Sequence, residues 1–202
     1  MDDIFKNAKQ KSYIRGDTIP IGQNIFFINQ GTVAIYSRGE KTRKLLYIYR
    51  QNEVFPYISS KSLFSGRELE YKALDTVFLR SLPRSQFDKE ALKPANSKTY
   101  VATLLERIDH LMERIDNLGA GSAQQKLILR LIYFAERLGK ANGDKVIVDV
   151  PMSYSDIAES IGTTRETVNR IIGQLSKKGI INIRQQTITI NSLKKLQKTV
   201  RD

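Results

Sequence analysis

Between residues 97 and 118 apolar side chains recur at Val101, Leu104, Ile108, Leu111, Ile115 and Leu118. The spacings of three, four, three, four and three are those of a heptad seam on a long amphipathic helix. Leu105 and Met112 widen the stripe on one flank, the flank expected to lie on the chain's own upstream domain. Upstream of the helix the pattern changes. Short apolar or alternating runs occupy 24–28, 32–37, 44–49, 53–58 and 76–82, separated by Gln30-Gly31, Arg38-Gly39-Glu40 and Gln51-Asn52. Strands of about six residues at roughly ten-residue spacing predict an antiparallel sandwich or barrel. Its aromatics, Phe26, Phe27, Tyr36, Tyr47, Tyr49, Phe55, Tyr57 and Phe64, read as core. Glu68 and Glu70, on alternating strand positions, are expected to face solvent together.

Downstream, Gly119-Ala120-Gly121-Ser122 breaks the helix, and Ser122 caps a second one reaching Leu138, with Leu127, Leu131, Phe134, Ala135 and Leu138 along its buried side. Residues 139–144 read as a turn-rich loop before a strand at 146–150. Within 152–178, Ser153 and Asp156 make a capping-box pair. Ile157, Ile161, Val168 and Ile171 supply the apolar contacts of two short helices, Ala158 lets them cross, and Gly162 suits a turn of positive φ. That stretch predicts a helix-turn-helix. Gly179 ends the second helix behind Lys177 and Lys178. Residues 180–184 and 187–190 alternate about Gln185-Gln186 as a β-wing, and Ser192 caps a last helix, 193–199, bearing Lys194, Lys195 and Lys198.

The second helix of the pair carries groups suited to reading DNA. Arginine grips guanine O6 and N7 bidentately and glutamate accepts from cytosine N4, and the N-terminal end of a recognition helix meets base edges. Arg165, Glu166 and Arg170 are the candidate base readers. Ser153, Thr163, Thr164, Thr167, Asn169, Lys177, Lys178 and Arg184 are candidates for phosphate contacts, which hold without reading sequence. The plainer alternatives are a capping box between Thr163 and Glu166, and solvated surface charge for the cations.

Ile157 to Leu175, with Arg-Glu-Thr-Val-x-Arg at its centre, resembles the DNA-binding helix pair of the catabolite-activator and fumarate–nitrate-regulator superfamily of bacterial transcription regulators. The order of elements is similar along nearly the whole chain. The resemblance implies an α+β fold: an N-terminal antiparallel β-roll like a cyclic-nucleotide-binding domain (1–96), a dimerisation helix (97–118) and a C-terminal winged helix-turn-helix (119–202). It implies that Arg165, Glu166 and Arg170 read the G·C pairs of a TGTGA half-site in double-stranded DNA, and that RNA polymerase is a partner of the 139–144 segment, although no residue there carries that reading. Gly16-Asp17, Gly31 with Val33, and Gly39-Glu40 resemble the cyclic-nucleotide-binding pattern. Relatives that bind cyclic nucleotides open the phosphate cassette with Gly-Glu and close it with Arg-Ser or Arg-Thr. Here Pro56-Tyr57 and Arg67-Glu68 stand in those places. Pro56 has no amide hydrogen to give, and Glu68 sets a negative charge beside the phosphate. Arg67 and Tyr57 are therefore candidate lining for an unidentified small effector, and cyclic-nucleotide control is not expected.

The heptad seam favours a parallel homodimer over a helix packed on one domain, because one recognition helix reads only a few base pairs and two-fold symmetry pairs half-sites about 34 Å apart. Two hundred and two residues, 41% of them apolar, suffice for two small domains. A net charge of +12 favours a polyanionic partner. Half of the excess lies in 1–96 and half in 97–202, so charge steers and the helix must specify. The absence of cysteine removes thiol chemistry and Cys-ligated iron–sulfur clusters and fits a reducing cytoplasm. No cofactor is implied. No apolar run is long enough for a membrane span, and the acidic Met1-Asp2-Asp3 start is not a signal peptide. With one histidine, His110, outside the roll, and no nucleophile elbow or phosphate loop, catalysis is rejected. Two other readings stay open: a winged helix that binds protein, and an RNA-binding regulator, although the aromatic strand platform of an RNA-recognition motif is missing.

Overall fold

In the computed structural model, residues 1–39, 43–57, 68–119, 121–149, 153–184 and 187–200 are described. The chain divides into two compact units, Met1–His110 and Leu111–Asp202.

The first unit is built on two antiparallel sheets. Gln10–Tyr13 (β1), Asn24–Gln30 (β2), Val54–Phe55 (β5) and Val77–Pro83 (β7) form one, in the order β1-β7-β2-β5. Val33–Arg38 (β3), Arg43–Tyr49 (β4) and Glu68–Ala73 (β6) form the other, in the order β4-β3-β6. The run Ile25-Phe26-Phe27-Ile28 does not alternate because β2 is covered on both faces. Phe26 and Ile28 join Ile35, Tyr49, Phe55 and Leu79 in one core cluster. Ile25 and Phe27 join a second with Phe5, Leu82 and Phe87. Phe5 comes from a 3₁₀ turn, Asp2–Phe5, and Phe87 from helix α1 (Arg84–Ala91). Gly31 is required between β2 and β3: its φ is +91°, and a Cβ would lie 2.5 Å from the Thr76 carbonyl oxygen.

Strand β1 and helix α1 are additions to the sequence reading, and β6 extends the strand positions expected at Glu68 and Glu70. The strand expected at 53–58 is only two residues long as β5, and Ile58 and Phe64 lie outside the described residues. Glu68 and Glu70 do not face solvent together. Glu68 is exposed, but the Glu70 side chain is 16% exposed and meets Lys72 at 3.5 Å.

Helix α2 runs Pro94–Gly119, three residues earlier than the seam suggested. Proline suits a first helical turn, where its missing N–H would have no partner anyway.

In the second unit, Lys140–Asn142 (β8), Lys145–Asp149 (β9), Ile181–Arg184 (β10) and Thr187–Ile190 (β11) form a sheet in the order β10-β11-β9-β8. The expected 139–144 loop is thus partly strand, closed by a two-residue turn at Gly143-Asp144. Helix α3 (Ala123–Leu138) starts on the Ser122–Gln125 capping box and buries Leu127, Leu131 and Phe134 as expected. Helices α4 (Tyr154–Ser160), α5 (Arg165–Lys177) and α6 (Leu193–Lys198) complete it, with Ser192 capping α6.

Candidate nucleic-acid interface

The helix pair forms because its local signals agree. Ser153 Oγ accepts from the Asp156 N–H at 3.2 Å, and the Asp156 carboxylate accepts from the Ser153 N–H at 2.9 Å, closing the capping box of α4. Gly162 turns the chain with φ +68°. Ile157, Ala158, Ile161, Val168 and Ile171 are all buried between and beneath the helices. Burying four such branched side chains contributes about 6–12 kcal/mol gross, before the entropy of ordering the pair.

Helix α5 is capped by Thr164, which accepts from the Thr167 N–H at 3.2 Å. The suggested Thr163–Glu166 capping box is therefore not the one that forms. With Thr164 as the cap, Glu166 is the second helical residue, and the reciprocal position three after the cap belongs to Thr167. The Glu166 carboxylate is fully exposed. It is held below the usual carboxylate range first by its own backbone N–H, then by the Thr164 hydroxyl. It stays an ionised acceptor facing outward.

Arg165, Asn169 and Arg170 are exposed beside it. At 100° per residue, Arg165, Glu166, Asn169, Arg170 and Gly173 share one face of α5, opposite the buried Val168, Ile171, Ile172 and Leu175. At the far end, Gly179 (φ +66°) and Ile180 return N–H bonds to Ser176 and Leu175 at 2.9 and 3.0 Å, a Schellman stop. Lys177, Lys178 and Arg184 are exposed; Thr163 and Thr167 are half-buried. The Ser153 and Thr164 hydroxyls are exposed but already engaged in capping. The wing tip Gln185-Gln186 lies outside the described residues.

Residues 125–199 match the Crp-like helix-turn-helix domain family. The global nitrogen regulator of Nostoc sp. is 30% identical over 178 residues, covering 84% of this chain and 77% of the relative. That of Synechocystis sp. is 30% identical over 176 residues, with the same coverage. The chain belongs to the catabolite-activator and fumarate–nitrate-regulator superfamily. Its fold agrees: a CRP/FNR-family transcriptional regulator from Thermus thermophilus superposes with TM-score 0.75 at 21% identity, over 96% of this chain and 99% of that one. The protein is a DNA-binding transcription regulator with a cyclic-nucleotide-binding-like roll; members of this superfamily are not enzymes.

The superfamily's central helix is here α2, and two of its side chains, Leu105 and Met112, are not disposed as the sequence suggested. Val101, Ile108, Leu111 and Ile115 are exposed by 52%, 53%, 45% and 64%, and Leu104 is half-buried. The Leu118 side chain lies outside the described residues. Leu105 and Met112, expected against the roll, are exposed by 57% and 61%. The helix is turned so that Tyr100, packed edge-on to Phe87 at 5.7 Å, and Arg107 face the roll instead. The apolar stripe is thus centred on Val101, Leu105, Ile108, Met112 and Ile115.

On the roll, Tyr57 lies with Tyr47 and Tyr49 around the Arg107 guanidinium. Burial pushes the Tyr57 phenol up, and Glu53 adds to the shift. Burial likewise pushes the Glu53 carboxyl up to about 7, against the lowering by the Arg50 N–H and guanidinium. The Pro56 carbonyl accepts from Arg84 at 3.0 Å. Arg67 lies outside the described residues. Arg107 was given no role in the sequence reading. Tyr100 and Arg107, seven residues apart and so on one helical face, were the signal for its inward position.

Proposed function

We propose that the protein acts as a homodimer that reads an inverted repeat resembling TGTGA-N6-TCACA, with Arg165, Glu166 and Arg170 on base edges. The observation that carries this reading is the outward face of α5. Two guanidinium groups and an ionised carboxylate stand there on a rigidly capped helix, with Glu166 not spent on a capping box. Lys177, Lys178, Arg184 and Asn169 are assigned to phosphates, together with Ser153, Thr163, Thr164 and Thr167, which cluster at the starts of α4 and α5. Glu166→Val is expected to change the preference at one cytosine, at a cost of about 1–3 kcal/mol on the preferred site. Sites selected from random DNA by the parent and the variant give the answer: identical preferences would refute base reading.

The dimer is supported by the exposed apolar stripe of α2, in which Val101, Ile108, Leu111 and Ile115 are joined by Leu105 and Met112; half-buried Leu104, and Leu118 by its place in the heptad, are assigned to the same seam. The three-part division at residues 96 and 118 follows from it, with the roll before the pairing helix in sequence and the winged helix after it. RNA polymerase, the partner that the resemblance implies for the 139–144 segment, is assigned to the β8–β9 hairpin, whose β8 residues are all exposed. A cytoplasmic location follows from regulating transcription on bacterial DNA.

Neither cyclic AMP nor cyclic GMP is needed in this reading. The place of the cassette's Gly-Glu pair is taken by Pro56, without an amide hydrogen, and by Tyr57, in contact with Arg107. Calorimetry with each nucleotide, beside DNA binding with and without it, is expected to show no heat and no change. Micromolar binding that tightens DNA affinity would overturn it.

A further inference from the structure

The roll holds a constellation that DNA binding does not use. The Arg107 guanidinium carbon lies 4.1, 5.1 and 5.3 Å from the ring centroids of Tyr47, Tyr49 and Tyr57. Its Nη2 donates to Glu53 Oε2 at 3.2 Å. The Arg107 side chain is 13% exposed and that of Glu53 18%, although Leu105, Glu106, Ile108 and Asp109, the helical neighbours, are all exposed. Tyr47 and Tyr49 are 7% and 6% exposed and lock each other edge to face at 4.9 Å. An ordinary surface ion pair needs a carboxylate and nothing more. Three aromatic faces and one carboxylate around a single planar cation have the composition of a cation receptor, in which ring quadrupoles replace water. The flat, weakly hydrated guanidinium suits that surrounding better than a compact, strongly hydrated primary ammonium does.

We propose that Tyr47, Tyr49, Tyr57 and Glu53 form a guanidinium-binding site whose resident occupant is Arg107, the chain's own side chain taking the place of a diffusible effector in seating α2 on the roll. The proposal deepens the reading that no cyclic nucleotide is required. Seating Arg107 also fixes the rotation of the helix. Ile108, one residue on, lies about 100° round the axis, so the same seating turns Val101, Leu105 and Ile108 outward.

Chemical rescue tests it on the full chain. Arg107→Ala, Arg107→Lys and the parent are melted, with tyrosine fluorescence as a second signal, in about 10 mM ethylguanidinium, ethylammonium or sodium chloride. Arg107→Ala is expected to melt roughly 5–10 °C below the parent, since one partner of a largely buried pair has been removed. Ethylguanidinium should restore at least half of that shift and ethylammonium none. Arg107→Lys should melt low and gain nothing from either. A melting point for Arg107→Ala within a degree of the parent, or equal effects of the two cations, would overturn the proposal. Should Arg107→Ala fail to fold, Tyr57→Leu keeps the occupant and removes one wall: a lower melting point supports the cage and an unchanged one overturns it. The melts contain neither DNA nor cyclic nucleotide, so a failure of DNA reading or a calorimetric signal from cyclic AMP would be seen separately from a failure of rescue.

Discussion

In the proposed homodimer, Leu105 and Met112 decide which face of α2 pairs with the second copy. Replacing both by glutamine keeps helix propensity and net charge and removes only apolar surface. Leu105 and Met112 are exposed by 57% and 61%, so more than half of each side chain remains for a partner to cover. Full burial of such a side chain contributes about 1.5–3 kcal/mol, so covering the remaining half contributes about 1 kcal/mol. Two residues on each of two copies make roughly 4 kcal/mol, which weakens the dimer about a thousandfold at 1.4 kcal/mol per decade. The folded protomer should lose little, because substitutions of exposed side chains stay within about 0.5 kcal/mol.

Sedimentation equilibrium over a wide concentration range measures the dissociation constant, and far-ultraviolet circular dichroism shows whether the dissociated chain keeps its fold. A double variant, Leu105→Gln with Met112→Gln, that sediments as tightly as the parent while losing ellipticity would place both residues against the chain's own roll and refute the outward register. A parent that is monomeric throughout would refute the dimer. Substitutions at Ile108 and Ile115 weaken association under either register, which makes Leu105 and Met112 the informative pair.

Two further outcomes concern α5. Thr164→Ala leaves the Thr167 N–H without its cap and is expected to cost about 1 kcal/mol in chemical denaturation; it also removes a hydrogen bond to Glu166, whose carboxylate should titrate closer to the ordinary range by NMR. An unchanged denaturation midpoint would show that the cap contributes nothing. Gly173→Ala adds a Cβ with no heavy atom within 4 Å in the middle of a helix, so stability should rise by about 0.5–1 kcal/mol; a lower thermal midpoint would show that the glycine relieves a contact within the chain.

The parts legible in the sequence were those whose cause is local. Ser153, Gly162, Gly179 and Ser192 act on neighbours three or four residues away, so the helix pair and its stops could be read with no knowledge of the rest. Strand β1 was missed, and β6 was read only at Glu68 and Glu70, because their stability comes from elsewhere. Gln10–Tyr13 shows mostly exposed polar residues and is held by pairing with β7. Glu68–Ala73 reads as a charged segment and is ordered by its register against β3, from Val33↔Ala73 to Arg38↔Glu68. β8 is exposed at all three residues and exists as the return arm of a hairpin. Helix α1 buries only Phe87 and Ala91, too few to mark a period in eight residues. The heptad gave the length and the amphipathic character of α2, but not its rotation, since an apolar stripe two residues wide fits two registers. The rotation is set by Tyr100 and Arg107, whose partners lie on other elements of the roll.

Helix α2 is amphipathic in the opposite sense to a helix of a self-sufficient monomer. Its half-buried positions are Asn96, Ser97, Tyr100, Thr103, Leu104, Arg107, His110, Arg114 and Asn117, mostly polar. Of the eight large apolar side chains exposed among the described residues, six lie on it: Val101, Leu105, Ile108, Leu111, Met112 and Ile115. Turning polar groups inward costs desolvation, which the Arg107 guanidinium offsets with three ring faces and a carboxylate. Turning six apolar groups outward forgoes several kcal/mol of burial unless something else covers them. A helix that did both for a lone chain would lose on both faces. A second copy removes the loss, because a two-fold seam covers the same stripe on each chain at once. Arg107 and Ile108 are consecutive, so the group that seats the helix and the group at the centre of its seam cannot move independently, and unseating the one must turn the other.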